Sequence, residues 1–244
     1  MENKMEKAFE KEYSLRISDY DCHKRLQPAS ILDLFQDAAA CHAETMGVGF
    51  DAMIVSKHIW VLVKVKFQVV KNPPMFAKVK VRTWPLNPQK FSFTREYLMM
   101  DESGEILVKG SSEWVVMHSE KRRLVPAIDA YPSTEGHLDE KVFEDDFVKL
   151  ADFEPTDEGV ELSSKYSQID INGHVNNIQY ANFVLDNIEG IENKEIDTFR
   201  IDFNREVRPD SILRVYCVEE NNVINAKGIS DGSVKNFACR ITFK

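Results

Sequence analysis

The chain has no paired cysteines of the CxxC kind. Its four cysteines, Cys22, Cys41, Cys217 and Cys239, are scattered through 244 residues, which excludes a disulfide framework. A zinc site lacks a credible second pair of ligands. No apolar run approaches the ~20 residues needed to cross a bilayer. Positive charge is scarce as well: 31 Lys and Arg stand against 40 Asp and Glu, a net charge of −9. That balance argues against general nucleic-acid binding. The opening Met1-Glu2-Asn3-Lys4-Met5-Glu6-Lys7 is charged and lacks the apolar centre of a signal peptide. These absences lead to the expectation of a cytoplasmic protein without a membrane span.

What is present is enough to build a core, with 43% apolar residues in a chain long enough to enclose them. The sequence also repeats itself. At an offset of 149, Ser18 meets Ser167, Asp21 meets Asp170, Leu34 meets Phe183 and Asp37 meets Asp186. At an offset of 136, Phe67 meets Phe203, Pro73 meets Pro209 and Val79 meets Val215. The change of offset gives the first copy 13 more residues between helix and strand. Two matches in the same order indicate a duplicated unit of roughly 110–130 residues.

Each copy opens with a short strand and turn, then a helix. Pro28 suits a first helical position and Gly47 a stop. Ile31, Leu32, Leu34, Phe35, Ala38 and Ala39 are too many for a narrow stripe, so this helix is enclosed. In the second copy Asn176 or Asn177 caps a helix over 178–189, with Gly190 past its end. Val61, Val63, Val65, Phe67 and Val69 alternate as in a strand, and Phe199, Ile201 and Phe203 do the same. Hairpins are expected at 91–100 with 105–116, and at 223–230 with 234–243 around Asp231-Gly232. One helix against several antiparallel strands makes an α+β unit whose sheet wraps a central helix. The expected units are residues 1–126 and 160–244. An acidic linker over 127–159, containing Pro132 and Pro155, drapes over the surface between them.

The densest chemistry lies in Asp170-Ile171-Asn172-Gly173-His174-Val175-Asn176-Asn177. Backbone N–H groups at a helix start can polarise a carbonyl or hold an oxyanion. Asn172 adds a side-chain amide, and His174 moves protons near neutral pH. Asp170 or Glu206 is suited to orient the imidazole or to deprotonate water. Together they form a kit for hydrolysing an acyl compound. Each residue also has a plainer reading. Asp and Asn before a helix are commonly caps and turn formers. Glu206, between Arg205 and Arg208, reads most simply as a solvated ion pair on the polar strand face of Asp202 and Asn204. A calcium loop is excluded by the misplaced glycine and by Ala181 at position twelve. The first copy has His23 and Arg25 in place of Asn172 and His174, and Val70 in place of Glu206. Any chemistry therefore belongs to the second copy.

The stretch from Asp170 to Asn177, followed by Tyr180 and Asp186, resembles the motif of plant and bacterial acyl-acyl-carrier-protein thioesterases. Gln36, Ala38, Ala39 and His42-Ala43-Glu44 extend the likeness, as do Trp60, Thr83-Trp84-Pro85, Arg205-Glu206 and Asp210-Ser211. The resemblance implies two tandem hot-dog domains in a pseudo-dimer. It implies hydrolysis of a fatty acyl thioester on acyl carrier protein, without cofactor or metal, in fatty acid biosynthesis. By position, its catalytic aspartate, asparagine, histidine and glutamate fall on Asp170, Asn172, His174 and Glu206. Many members carry a cysteine after this glutamate; here Val207 stands there, so no thiol nucleophile is at hand.

Water attack is the expected mechanism, with either carboxylate as base. The first copy would supply an apolar tunnel, with Leu34, Phe35, Ala38, Ala39, Trp60 and Trp84 as candidate walls. An acidic carrier protein calls for a basic docking face. Lys78, Lys80 and Arg82 on one strand, and the cluster Lys121-Arg122-Arg123, are the candidates, with Lys64 and Lys66 extending the patch. An acyl-CoA thioesterase, a non-catalytic acyl-binding module and a hot-dog dehydratase are the competing readings. A homodimer of the tandem unit is a further possibility.

Overall fold

The computed structural model describes residues 8–131, 137–155 and 157–244. The opening seven residues and Pro132 therefore lie outside the described residues. The first half contains β1 (Phe9–Ser14), α1 (Pro28–Thr45), α2 (Phe50–Val55) and β2 (His58–Val69). It continues with β3 (Lys78–Pro85), β4 (Ser92–Asp101), β5 (Ile106–His118), β6 (Arg123–Val125) and α3 (Ala127–Ala130). The second contains β7 (Val160–Ser163), α4 (Asn177–Leu185), β8 (Ile196–Phe203), β9 (Ile212–Glu220), β10 (Val223–Ser230) and β11 (Val234–Phe243).

The duplication is legible in the sheet. Its strands run β1-β3-β4-β5-β2-β8-β11-β10-β9-β7, with β6 attached to β5. Reading outward from the β2–β8 junction, each half has the same sequence of strands. The junction is antiparallel, with Lys64 opposite Asp202 and Gln68 opposite Thr198. Phe67 and Phe199 stack across it at 5.2 Å. Two tandem hot-dog units thus share one twisted antiparallel sheet, and α1 and α4 pack against each other beside it.

Helix α1 is enclosed as expected. Ile31 and Ala38 are fully buried, and the Phe35 ring stacks on Tyr97 at 4.6 Å. Burying a side chain such as Phe35 contributes about 1.5–3 kcal/mol. It also demands bare backbone opposite: a Cβ at Gly110 would lie 2.2 Å from the Phe35 ring. The same close approach recurs in the second half, where Gly228 faces Phe237.

The two helices start at matching positions but end differently. Helix α1 has 18 residues and α4 has 9. The expected run to residue 189 stops at Leu185 because the next turn tightens: Asn187 N donates to Val184 O and Ile188 N to Leu185 O. Asn187 Nδ2 also donates to Phe183 O. The additional residues of the first copy therefore extend α1 and build α2.

The strand pattern needs one correction. Val63 is the extra residue of a bulge between Leu62 and Lys64, where β2 opposes β5. A bulge shifts the side-chain parity by one. Leu62 is buried before it and Val65, Phe67 and Val69 after it, while Val61 and Val63 are not. Both predicted hairpins form.

The segment expected as a linker over 127–159 does two things. Ala127 and Tyr131 pack with Met53, Phe93 and Val116 of the first half. From residue 137 onward the chain crosses the outer face of the sheet as a strap. Leu138 N donates to Pro85 O, Trp84 Nε1 to Glu140 O, and Val142 N to Glu96 Oε2. Lys66 reaches Asp145 and lies 4.4 Å from the Phe143 ring. Arg200 donates to Val148 O, and Lys227 to Asp152 and Phe153. Cations on the outer face of three strands, β2, β8 and β10, are thereby paired rather than solvated.

Candidate active site

The motif loop is held by its aspartate. Asp170 Oδ1 accepts Asn172 N at 2.8 Å and His174 N at 3.4 Å, while Asn172 Nδ2 lies 3.4 Å from Oδ2. Asp170 N donates to His174 O, and Gly173 N to Asp170 O. Gly173 has φ +78°, where a residue without Cβ costs least. The first half builds the same loop. Asp21 Oδ1 accepts His23 N and Arg25 N, each at 2.8 Å, and Asp21 N donates to Arg25 O. The carboxylate is thus a turn-builder in both copies.

What differs is the side chain carried at the end of the turn. Arg25 pairs with Asp21 and donates to Lys194 O and Glu192 O, pinning the second half in place. His174 instead faces a cleft of about 820 Å³. Its Nε2 lies 3.3 Å from Glu206 Oε1, and both side chains are about a quarter exposed (30% and 26%).

Glu206 is not on the polar face of a strand, because β8 ends at Phe203. Side-chain alternation no longer applies, and the chain turns into the cleft. Asn236 of β11 ties this turn: its carbonyl accepts Asn204 N and Arg205 N, and its Nδ2 donates to Arg205 O and Glu206 O. Val207 N donates to the Tyr180 hydroxyl at 3.0 Å, and Val175 N to Val207 O. One side chain on α4 thereby fixes the Glu206 segment against the motif loop. Burial pushes the Tyr180 hydroxyl up to about 12, so it stays neutral. Tyr180→Phe would leave Val207 N without its partner, a cost of about 1–3 kcal/mol. The expected result is a lower melting temperature and slower turnover together; an unchanged melting temperature would show that the bond contributes nothing.

An apolar cavity of about 330 Å³ opens beside this cleft. The two share Gln36, Ile59, Trp60, Trp114 and Asn172. Ala39, Ala40 and Ala43 of the extended α1 line it, with Phe50, Met53 and Ile54 of α2. One wall of the cavity is therefore built by residues that the first copy has in excess. That excess was visible in the offsets, but its fold was not. Of the expected walls, Ala39 and Trp60 line the cavity. Leu34, Phe35, Ala38 and Trp84 do not. Phe35 and Ala38 pack into the core, and Trp84 lies under the strap on the opposite face of β3 from Thr83.

The docking candidates do not form one patch. Lys80 is level with Met100, and Met100 with Ile106 at the far end of β5 from His118. Twelve residues of strand separate the two clusters, roughly 40 Å. Lys80 is paired with Glu10, and Arg82 lies 5.3 Å from the Trp84 ring. Lys64 and Lys66 are paired with Glu113 and Asp145. Lys78, Lys121 and Arg123 stay exposed. Arg122 faces the cleft, where its Nη2 lies 2.7 Å from Glu206 Oε1. No cysteine lines the cleft or the cavity. Among the described residues no trio of His, Cys, Asp or Glu is placed to hold a metal, and no helix is long and apolar enough to cross a membrane.

Known proteins share this fold. The fold matches an acyl-ACP thioesterase from Bacteroides thetaiotaomicron, with a TM-score of 0.82, 24% identity and 98% of each chain covered. It matches a 12:0-ACP thioesterase from Umbellularia californica with a TM-score of 0.87 and 23% identity, over 98% of this chain and 97% of that one. In sequence, a chloroplastic palmitoyl-acyl carrier protein thioesterase from Cuphea hookeriana is 28% identical over 221 residues. That alignment covers 84% of this chain and 53% of the relative. One from Gossypium hirsutum is 27% identical, covering 92% of this chain and 58% of the relative. The chain thus spans little more than half the length of these relatives. The family model of the acyl-ACP thioesterase N-terminal domain matches residues 6–133, and that of the C-terminal domain residues 154–242. Matched in both its halves, the chain belongs to the acyl-ACP thioesterase family.

Proposed function

We propose that the protein hydrolyses the thioester of a fatty acyl chain on acyl carrier protein, giving free fatty acid and the carrier thiol. The observation that carries this reading is the junction of two spaces: the apolar cavity meets the polar cleft at Asn172, beside the His174–Glu206 pair. A chain seated in the cavity would leave its carbonyl beside those groups. Glu206 accepts a proton from water, and the water oxygen attacks the carbonyl carbon. Asn172 Nδ2 and the start of α4 hold the oxyanion. As the carbon–sulfur bond breaks, His174 passes a proton to the departing thiolate. Asp170 acts through the loop, since both its oxygens are engaged there. The four cysteines are unpaired, which favours a reducing, cytoplasm-like setting.

The decisive experiment supplies acyl-carrier proteins of graded chain length and measures fatty acid and free thiol together. Equal release of both supports the reading. Binding without release would make the protein an acyl-binding module instead.

Carrier docking at the β5–β6 turn makes a second prediction. Lys121 and Arg123 form no ion pair among the described residues and flank Arg122, which lines the cleft. Lys121→Glu with Arg123→Glu should raise KM for acyl-carrier protein several-fold while acyl-CoA is little affected, because an acidic partner loses its complement. Equal effects on both thioesters would discredit this surface.

A further inference from the structure

Arg122 belongs to the first half, while its partner Glu206 lies 84 positions later in the second. Its Nη2 and His174 Nε2 approach the same oxygen, Glu206 Oε1, at 2.7 and 3.3 Å. The arginine is delivered by an unusual turn. Its backbone is left-handed at φ +51°, a conformation that disfavours side-chain-bearing residues. Surrounding contacts enforce it: Arg122 N donates to His118 O, and Ser119 N to Lys57 O just beyond α2. Lys57 also pairs with Glu120. The cavity-building insertion and the arginine are therefore mechanically joined.

Stability does not account for this arrangement. Arg122 is half exposed, and an exposed ion pair returns little net free energy. A strained turn that brings a cation onto the reacting carboxylate is better explained by function. We propose that Arg122 is a positioning residue, supplied by the first half, that fixes the Glu206 carboxylate against His174. The proposal rests on the thioester-hydrolysis reading. A guanidinium suits the task because its planar fork constrains a carboxylate in direction as well as distance, which an ammonium does not.

The test compares Arg122→Ala and Arg122→Lys with the unaltered protein on acyl-carrier protein and acyl-CoA of one chain length. A displaced base costs up to ~10²-fold. Arg122→Ala should therefore lower kcat about 10- to 100-fold on both thioesters alike, with KM for acyl-carrier protein nearly kept and an unchanged melting temperature. Arg122→Lys should recover part of kcat. Should the alanine variant melt early, Arg122→Gln, which keeps most of the side chain's length, takes its place. Unaltered kcat, or a rise in KM confined to acyl-carrier protein, would overturn the proposal and return Arg122 to the docking face. Failure of the unaltered protein to hydrolyse either thioester would instead sink the hydrolysis reading itself.

Discussion

Glu206→Gln should reduce kcat by about 10²- to 10⁴-fold, the range for losing general-base help, while the fold is retained. The substitution keeps the size of the side chain and one acceptor oxygen. Arg122 and His174 can still donate to that oxygen, so packing at the turn is preserved. What disappears is the negative charge and the ability to take a proton from water. The segment's backbone is held independently by Asn236 and Tyr180, so a melting curve should move little. A measured kcat within threefold of the original, in a protein shown to bind acyl chains, would remove Glu206 from the reaction. Loss of folding in this variant would point to a structural role instead.

His174→Ala carries the second large effect. Among the described residues lining the cleft, the imidazole is the one group placed to donate to Glu206 and suited to pass a proton to sulfur. Removing it should cost at least ~10²-fold in kcat. The loss should shrink on thioesters whose thiol is a better leaving group, because such a thiolate departs without a proton. The two substitutions act on one unit, so Glu206→Gln with His174→Ala should be scarcely slower than the worse single variant. Strictly multiplicative losses would mean that the 3.3 Å pairing has no part in turnover. A uniform loss across all leaving groups would argue against His174 as the proton donor.

The motif loop shows how far a linear reading reaches. Asp170, Asn172 and His174 stand out in the chain, and comparison with Asp21, His23 and Arg25 shows where the two copies differ. The same comparison, made on backbone geometry, shows Asp170 building the turn that Asp21 builds in the first copy. Both copies need an aspartate there because its oxygen satisfies two amides two and four residues on. A side chain required by the turn in both halves cannot be singled out as the base by its presence in one. Glu206 posed the opposite problem. Its sequence neighbours Arg205 and Arg208 suggested a surface ion pair, yet the arginine that meets it is Arg122.

The cavity illustrates the same division. Apolar residues of α1 were recognisable, but which of them face a void depends on where α1 lies relative to β4 and α2. Phe35 and Ala38 are as apolar as Ala39, and of the three only Ala39 lines the cavity. The bulge at Val63 is another case: one inserted residue inverts a strand's two faces without changing its composition.

The sequence by itself determined the duplication, the helix starts, the hairpins and the half that carries the imidazole. These follow from local rules: periodicity, capping, turn chemistry and self-similarity act over a few residues. Only the tertiary structure decided that Arg122, His174 and Glu206 meet at one oxygen, that the first copy's excess residues wall a cavity, and that two basic clusters lie at opposite ends of the sheet. Those facts depend on strand register and on contacts between residues far apart in the chain. Such contacts form only when the two halves close on a common core, so no local pattern in the sequence encodes them.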